Sequence, residues 1–379
     1  MAAKLKVLFL ITDIGKGGAE RFLIDLCTEL QRRGDVEFII GSLFENNQYQ
    51  EFTKTFPIVY LNYPLFSFLG KNECPEYKKL LNDFQPDVIH TNRFLAEFLS
   101  SFYVSYHIKY VCHGHDNMIQ LDNFSLDKLG NKEKLLNFFE KQYLINKKYK
   151  KAATYFIANS SHTLAYYQRV LPNFMHQYIK LIEYGFNYTR FYKEKTNYWK
   201  EGEKIKLVNV GSFQAKKNQQ LIIKIGEELR AMGLDFEINL LGDGGTRESI
   251  QAAVDASGLS DRILLHGNVD NVEEWLWDSH VYLHTAWYEP FGLVFLEAMA
   301  AGLPCVTLDG KGNRNLIEEG ENGYMLFEED AKAFAQRIDT LFKDQETYKR
   351  ISTYSQVFSE KYDIKKSTDR FVDFYKSAN

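Results

Sequence analysis

One pattern, played twice, narrows what this chain can fold into. Short apolar runs alternate with segments whose hydrophobic residues recur every three or four positions. The rhythm stops at a polar stretch and then restarts. "KVLFLITD" (Lys6–Asp13) reads as a buried strand, an apolar run closed by turn residues. "GKGGAERFLIDLCTELQRRG" follows as a glycine loop and a helix, with Phe22, Leu23, Leu26, Cys27 and Leu30 on one face and Gly34 at its end. "VEFIIGS", "FPIVYLN", "PDVIHTN" and "IKYVCHG" continue the series. Strands alternating with helices require crossover connections, which give a parallel sheet covered on both faces.

The polar segment "YKEKTNYWKEGEK" (Tyr192–Lys204) reads as a linker. Beyond it "IKLVNVGS", "FEINLLGDGG", "RILLHGN" and "SHVYLHTAW" repeat the strand pattern, each followed by a helix. The expected fold class is α/β, two Rossmann-like domains in tandem, with ligand where strand carboxyl ends face each other. The boundaries expected are 1–195 and 196–361. A last helix over about 362–379, with Phe371, Phe374 and Tyr375 on one face, is expected to pack back on the first domain. A length of 379 residues agrees, since it exceeds one ordinary core.

Charge separates the two halves. Residues 1–195 carry 25 Lys and Arg against 20 Asp and Glu, and the remainder carries 21 against 30, giving +5 and −9. Two surfaces of opposite sign suggest different partners. The acidic total and the lack of a base-stacking motif argue against nucleic acid. Four cysteines with no C-x-x-C spacing fit a reduced, cytoplasmic protein without a thiolate zinc site. The first apolar run, Val7–Ile11, is much shorter than a signal-peptide core, and no stretch approaches the ~20 apolar residues of a membrane span.

The most telling stretch is "EPFGLVFLEAMAAGLPCV", Glu289 to Val306, with Glu289 and Glu297 eight positions apart. Pro290 presets a backbone angle suited to a first helical turn. Phe291, Gly292 and Leu293 would then offer amide N–H groups at the helix start, where roughly half a positive charge suits a diphosphate. Gly292 lets a ligand approach closely. Taken alone, Glu297 also reads as a solvated helix acid and Glu289 as a first-turn charge.

With "GKGGAER", "VGSFQAKKN" and "LLGDGG" added, the chain resembles the GT-B-fold retaining glycosyltransferases of family 4 (glycosyl transferases group 1), whose two Rossmann-like domains face each other across a cleft. The likeness is strong from Val208 to Leu326 and looser over Asp35–Tyr110. It implies that Glu289 contacts the transferred sugar and Glu297 the ribose hydroxyls, for which carboxylates are natural acceptors. It implies that Lys217 neutralises the donor diphosphate. The family's arginine one residue past Gly211 is here Ser212. Either Ser212 donates a hydrogen bond and Lys216 compensates, or leaving-group stabilisation is weaker.

The resemblance also places Gly242 in a loop near the nucleotide, and backbone groups around Asn268 and Val269 at its base. The other reading of "LLGDGGTRE" is a tight turn, with Asp243 or Thr246 capping a helix and Arg247 solvated. Gly17 and Gly18 allow close approach of donor phosphates or acceptor. Neither G-x-G-x-x-G nor a G-K-[ST] ending is present, so a nicotinamide or ATPase loop is not supported. In "VCHGHDN", His115 with Asp116 matches a family position beside the transferred sugar, and His113 stays as the alternative. His90 would shape the pocket. The H-x-H spacing lacks further metal ligands, and the family implies neither metal nor cofactor.

Between Lys128 and Lys151 stand eight lysines interleaved with Leu135, Leu136, Phe138, Phe139 and Tyr143. Such a helix faces anionic lipid, or it is a solvated helix with an apolar core face. The function implied is transfer of a sugar, with retention, from a nucleotide diphosphate donor (a UDP-sugar favoured) to a hydroxyl of a glycan or lipid-linked acceptor. The setting implied is cell-surface polysaccharide or lipopolysaccharide biosynthesis, in the cytoplasm or at the inner membrane face. A sugar-nucleotide epimerase on the same fold and a non-catalytic sugar-nucleotide binding protein are the rival readings.

Overall fold

The computed structural model describes residues 4–63, 73–123, 130–195, 198–200 and 202–377. The chain divides into two compact units, one of residues 1–185 with 364–379 and one of residues 186–363.

In the first unit seven strands form one parallel sheet. They are β1 (Leu5–Ile11), β2 (Val36–Ser42), β3 (Ile58–Tyr60), β4 (Val88–Asn92), β5 (Lys109–His113), β6 (Thr154–Ala158) and β7 (Ile179–Leu181). Their order is β3-β2-β1-β4-β5-β6-β7. Val7 to Ile11 are wholly buried, as a central parallel strand covered on both faces must be. The helix Gly18–Arg33 buries Phe22, Leu23, Leu26 and Leu30, and stops at Gly34, whose left-handed φ of 70° lets its N–H reach the Leu30 carbonyl. The strand order reverses between β1 and β4, the place where open α/β sheets take ligands at the strand carboxyl ends.

The C-terminal helix Ile364–Lys376 belongs to this unit. Phe371 lies 5.5 Å from Phe22, Phe374 meets Tyr155 edge-on at 5.2 Å, and the Lys109 ammonium bonds the Phe374 and Ser377 carbonyls. A cation on the last carbonyls suits the negative end of a helix.

The second unit holds six parallel strands: β8 (Ile205–Val210), β9 (Phe236–Leu241), β10 (Ile263–Gly267), β11 (Val281–His284), β12 (Cys305–Leu308) and β13 (Gly323–Leu326). Their order is β10-β9-β8-β11-β12-β13, with the reversal between β8 and β11. Leu207, Ile238, Leu240, Leu283 and Val306 build its core. The change of unit falls at Gly185, where a Cβ would meet Ser367 and Ile364, and not at the lysine-rich segment. The described part of that segment lies in the second unit, with the Lys195 ammonium 2.6 Å from the Ser279 carbonyl. Thr196, Asn197 and Glu201 are outside the described residues.

The basic segment of the first unit forms the helix Lys132–Leu144 and a π-helical turn, Ile145–Tyr149. Two of its lysines are not surface charges. Lys141 is buried on Asn123 and the Val170 carbonyl, and Lys148 is wholly buried in an ion pair with Glu97 at 2.7 Å. Phe139 and Leu136 are exposed, and Lys128 lies outside the described residues. Among the described residues no helix is long and apolar enough to cross a membrane. The four cysteines are free and buried.

Candidate active site

Three loops at the strand ends of the second unit are laced together by hydrogen bonds onto main-chain carbonyls. The loop after β8 is joined to the one after β11 by the Trp287 N–H on the Lys216 carbonyl (3.0 Å) and the Thr285 hydroxyl on the Lys217 carbonyl (3.2 Å). The loop after β12 is joined to it by the Glu289 N–H on the Gly310 carbonyl (2.8 Å) and the Gly312 N–H on the Glu289 carbonyl (3.0 Å). A Cβ on Gly312 would stand 1.9 Å from the Pro290 carbonyl oxygen, so only glycine fits there.

This lacing brings Lys217 and Glu289 together. Lys217 Nζ lies 2.6 Å from Glu289 Oε2, with both side chains largely buried. His284 Nε2 is 3.5 Å from the same oxygen, and His284 Nδ1 is 3.0 Å from the Tyr282 hydroxyl. Burial alone would raise the Glu289 carboxyl. Lys217, the neighbouring His284 ring, the Lys217 hydrogen bond and Lys216 together outweigh it and hold the group below its ordinary range. Burial, reinforced by Lys217, pushes the His284 ring down to about 3, so it is neutral near pH 7.

The helix that follows begins later than the proline suggests. It runs Leu293–Ala300, and Pro290 stands outside it. Gly292, at φ 99°, breaks the run, and a Cβ there would lie 2.4 Å from the Phe295 ring. Gly292 is therefore demanded by the backbone, whatever approaches it. Glu289 is consequently a buried loop acid, not a first-turn charge. The amides of the first turn, from Leu293 on, point to the same end of the sheet as Glu289. Phe291 is buried, and Glu297 is half-buried in the helix's second turn.

Other residues that the resemblance assigns to the donor make local contacts. Ser212 is exposed, and its carbonyl accepts from the Gln214 N–H and the Gln219 amide. The Lys216 ammonium sits 5.9 Å above the Tyr288 ring. Gly242 (φ 141°) faces the Gly211 carbonyl, which a Cβ would meet at 2.0 Å. Asp243 turns its carboxylate onto the Gly244 N–H, and Thr246, at the helix cap, makes no side-chain cap bond. Arg247 is half-buried and donates to the Leu265 carbonyl (3.2 Å), which overturns its reading as a solvated charge. Asn268, exposed, and Val269, half-buried, follow Gly267, where the pairing of β10 with β9 slips register.

In the first unit Gly17 is extended, and a Cβ on it would meet the Glu20 carboxylate at 2.4 Å. Gly18 faces open space. Glu20 is buried against Arg93 (2.9 Å), and burial raises its carboxyl despite that cation. His115, at φ 62°, gives Nε2–H to Asn92 Oδ1 (2.7 Å) and takes the Tyr184 O–H on Nδ1 (2.5 Å). Asn92 Nδ2 donates to the Leu10 carbonyl, which leaves its Oδ1 as the acceptor and so sets this tautomer. His113 stacks on His115 at 4.1 Å and reaches His90 (3.2 Å), which reaches Tyr375 (2.6 Å). Burial pushes His90 down to about 3 and holds His113 and His115 well below the ordinary imidazole range, so the cluster is uncharged near pH 7. Among the described residues no group of three or more His, Cys, Asp or Glu could hold a metal ion.

Two family models match consecutive parts of the chain, Glycosyltransferase Family 4 over residues 16–189 and Glycosyl transferases group 1 over residues 192–358. The chain belongs to glycosyltransferase family 4, group 1. A curated relative, N-acetyl-alpha-D-glucosaminyl L-malate synthase of Bacillus anthracis, is 34% identical over 167 residues, 42% of this chain and 43% of the relative. The match thus spans less than half of that relative's length. The crystal structure of Anabaena Alr3699/HepE in complex with UDP and glucose superposes at a TM-score of 0.79, with 21% identity, over 99% of this chain and 100% of that one. WaaG, a glycosyltransferase involved in lipopolysaccharide biosynthesis, gives 0.72 at 16% identity, over 99% and 100%. These likenesses show the GT-B fold.

In this family 4 chain some site residues escaped the motif reading. His284 ends β11 as His90 sits within β4, and its strand-end position was the available signal. Asp309 is held by Lys311 (2.8 Å) and Arg314 (2.7 Å) on the loop that docks onto Glu289. Burial raises the Asp309 carboxyl, but those two cations carry it well below the usual range. Nothing in the local pattern distinguishes that loop from an ordinary turn.

Proposed function

We propose that this chain is a retaining glycosyltransferase that moves a sugar from a nucleotide diphosphate donor, UDP-sugar favoured, to a hydroxyl of a glycan or lipid-linked acceptor. The observation that carries this reading is the Lys217–Glu289 pair, buried beside the first turn of Leu293–Ala300. As the glycosidic bond to phosphate breaks, negative charge grows on the diphosphate. A lysine and a helix start fixed in advance stabilise that charge without reorganising. Glu289, ionised, accepts a sugar hydroxyl, Glu297 takes the ribose, and backbone around Asn268 and Val269 takes the base. Gly17, Gly18 and His115 are assigned to donor phosphates and sugar by resemblance. Lys217 and the amides provide the positive charge, so the reading calls for no metal, and turnover should survive a chelator.

The UDP and glucose held by HepE support the donor class, and WaaG's place in lipopolysaccharide biosynthesis supports a cell-surface setting. The proposed location is the cytoplasm at the inner membrane face. Lys132, Lys134, Lys147, Lys150 and Lys151 remain available to anionic lipid once Lys141 and Lys148 are set aside. The test is a thermal-shift screen of UDP, GDP and ADP, then UDP release from UDP-glucose and UDP-N-acetylglucosamine, with NMR of the anomeric product. UDP stabilisation with released UDP and retained configuration is expected. Isomerised donor would favour an epimerase, and binding without release a non-catalytic protein.

A further inference from the structure

His284 is buried to 1% exposure at the end of β11, and nothing in the motif reading assigns it a role. Its ring lies 4.6 Å from Phe295, and its Nδ1 is 3.0 Å from the Tyr282 hydroxyl. Its Nε2 is buried and has no hydrogen-bond partner among the described residues, yet it lies 3.5 Å from Glu289 Oε2. A carboxylate can only accept, so the tautomer that serves Glu289 carries its hydrogen on Nε2; Nδ1 then takes the O–H of Tyr282, whose hydroxyl also lies 3.4 Å from the Val210 carbonyl. At 3.5 Å the contact is longer than a made hydrogen bond, because Lys217 already holds Oε2 at 2.6 Å.

We propose that His284 is a positioning residue for Glu289: when a diphosphate draws Lys217 away, His284 Nε2–H takes over Oε2 and leaves Oε1 for the sugar hydroxyl. The inference rests on Glu289 being the sugar-binding carboxylate. A long contact in the unliganded site that shortens when ligand binds is common among catalytic hydrogen bonds. The groups facing the Glu289 carboxylate are Lys216 and Lys217 from the loop after β8 and His284 and Tyr282 from β11. Lys311, on the loop paired with the Glu289 backbone, turns its ammonium to Asp309.

The variants to compare are His284→Phe, which keeps the ring and loses both nitrogens, His284→Gln, whose amide reaches as far as Nε2, and His284→Asn, whose amide reaches only the Tyr282 side. UDP release from UDP-glucose is followed from pH 4 to 9. His284→Phe is expected to lower kcat by roughly 10- to 100-fold, the size of a hydrogen bond to a charged group, with KM within about twofold. The acid limb set by Glu289 should move to higher pH, since a donor to its ionised form is gone. His284→Gln should recover most of the loss and His284→Asn little of it. Unchanged kcat and acid limb in His284→Phe, or Asn performing as well as Gln, overturns the inference. Glu289→Gln separates the two levels. If it leaves turnover intact, the reading of Glu289 fails and the inference with it. If it abolishes turnover while His284→Phe does not slow it, only the inference fails.

Discussion

Lys217 Nζ and Glu289 Oε2 stand 2.6 Å apart, so the cation assigned to the diphosphate and the carboxylate assigned to the sugar are each other's partners in the unliganded site. A bound diphosphate must compete for that lysine. Glu289→Gln should therefore bind free UDP more tightly, on the order of tenfold, equivalent to roughly 1.4 kcal/mol. Sugar transfer should be suppressed in the same variant. Calorimetric titration with UDP beside a turnover assay checks both, and weaker UDP binding in Glu289→Gln would refute the competition.

The same pair makes stability depend on pH. The Glu289 carboxyl is depressed in the folded protein, despite its burial, by Lys217, His284 and Lys216. Its contribution is thus fully present above the unfolded carboxylate value of ~4.3 and is lost as pH falls through the lower folded value. Melting temperatures of wild type and Glu289→Gln should differ at pH 7, and the gap should narrow as pH falls below the unfolded carboxylate value. A gap that stays constant down to pH 3 would contradict this.

Gly242 and Gly292 are fixed by the backbone. With φ of 141° and 99°, and a Cβ that would lie 2.0 Å from the Gly211 carbonyl or 2.4 Å from the Phe295 ring, each has no room for alanine. Gly292→Ala should cost roughly 1–3 kcal/mol of stability, and Gly242→Ala at least as much. Chemical denaturation measures it. The neighbouring Gly245, with nothing within 4 Å of its Cβ position, should tolerate the change.

Lysines of the basic segment should sort into two kinds. Lys148 is enclosed with Glu97 and Ser100, so Lys148→Ala strands a buried carboxylate and should cost roughly 3–5 kcal/mol. Replacing Lys132, Lys134, Lys147, Lys150 and Lys151 should leave stability nearly unchanged and weaken sedimentation with anionic vesicles at low salt. Equal vesicle binding in that variant would remove the membrane proposal.

The strands that could be read from the sequence are those whose apolar runs are long and end in turn residues, such as Val7–Ile11 and the start of "FEINLLGDGG". β12 (Cys305–Leu308) escaped because it directly follows the Gly302-Leu303-Pro304 turn of the motif, and β13 (Gly323–Leu326) because it opens on a glycine and has no β-branched residue. The Glu289–Glu297 stretch pointed to the candidate site, but Pro290 misplaced the helix start by hiding what the positive φ of Gly292 does. Arg247 and Lys148 looked solvated because their partners, the Leu265 carbonyl and Glu97, are remote in sequence and meet them only in the fold. His284 and the Gly310–Asn313 loop matter through contacts with Glu289 that no local spacing encodes.

In the proposed reaction Lys217 and the amides at Leu293 receive a departing diphosphate. The most direct test is a crystal structure with UDP, read at the distance from Lys217 Nζ to Glu289 Oε2. With UDP bound, the ammonium is expected to leave its 2.6 Å contact and engage a phosphate oxygen, with the diphosphate against the first turn of Leu293–Ala300. UDP bound elsewhere, with Lys217 still on Glu289, would contradict it.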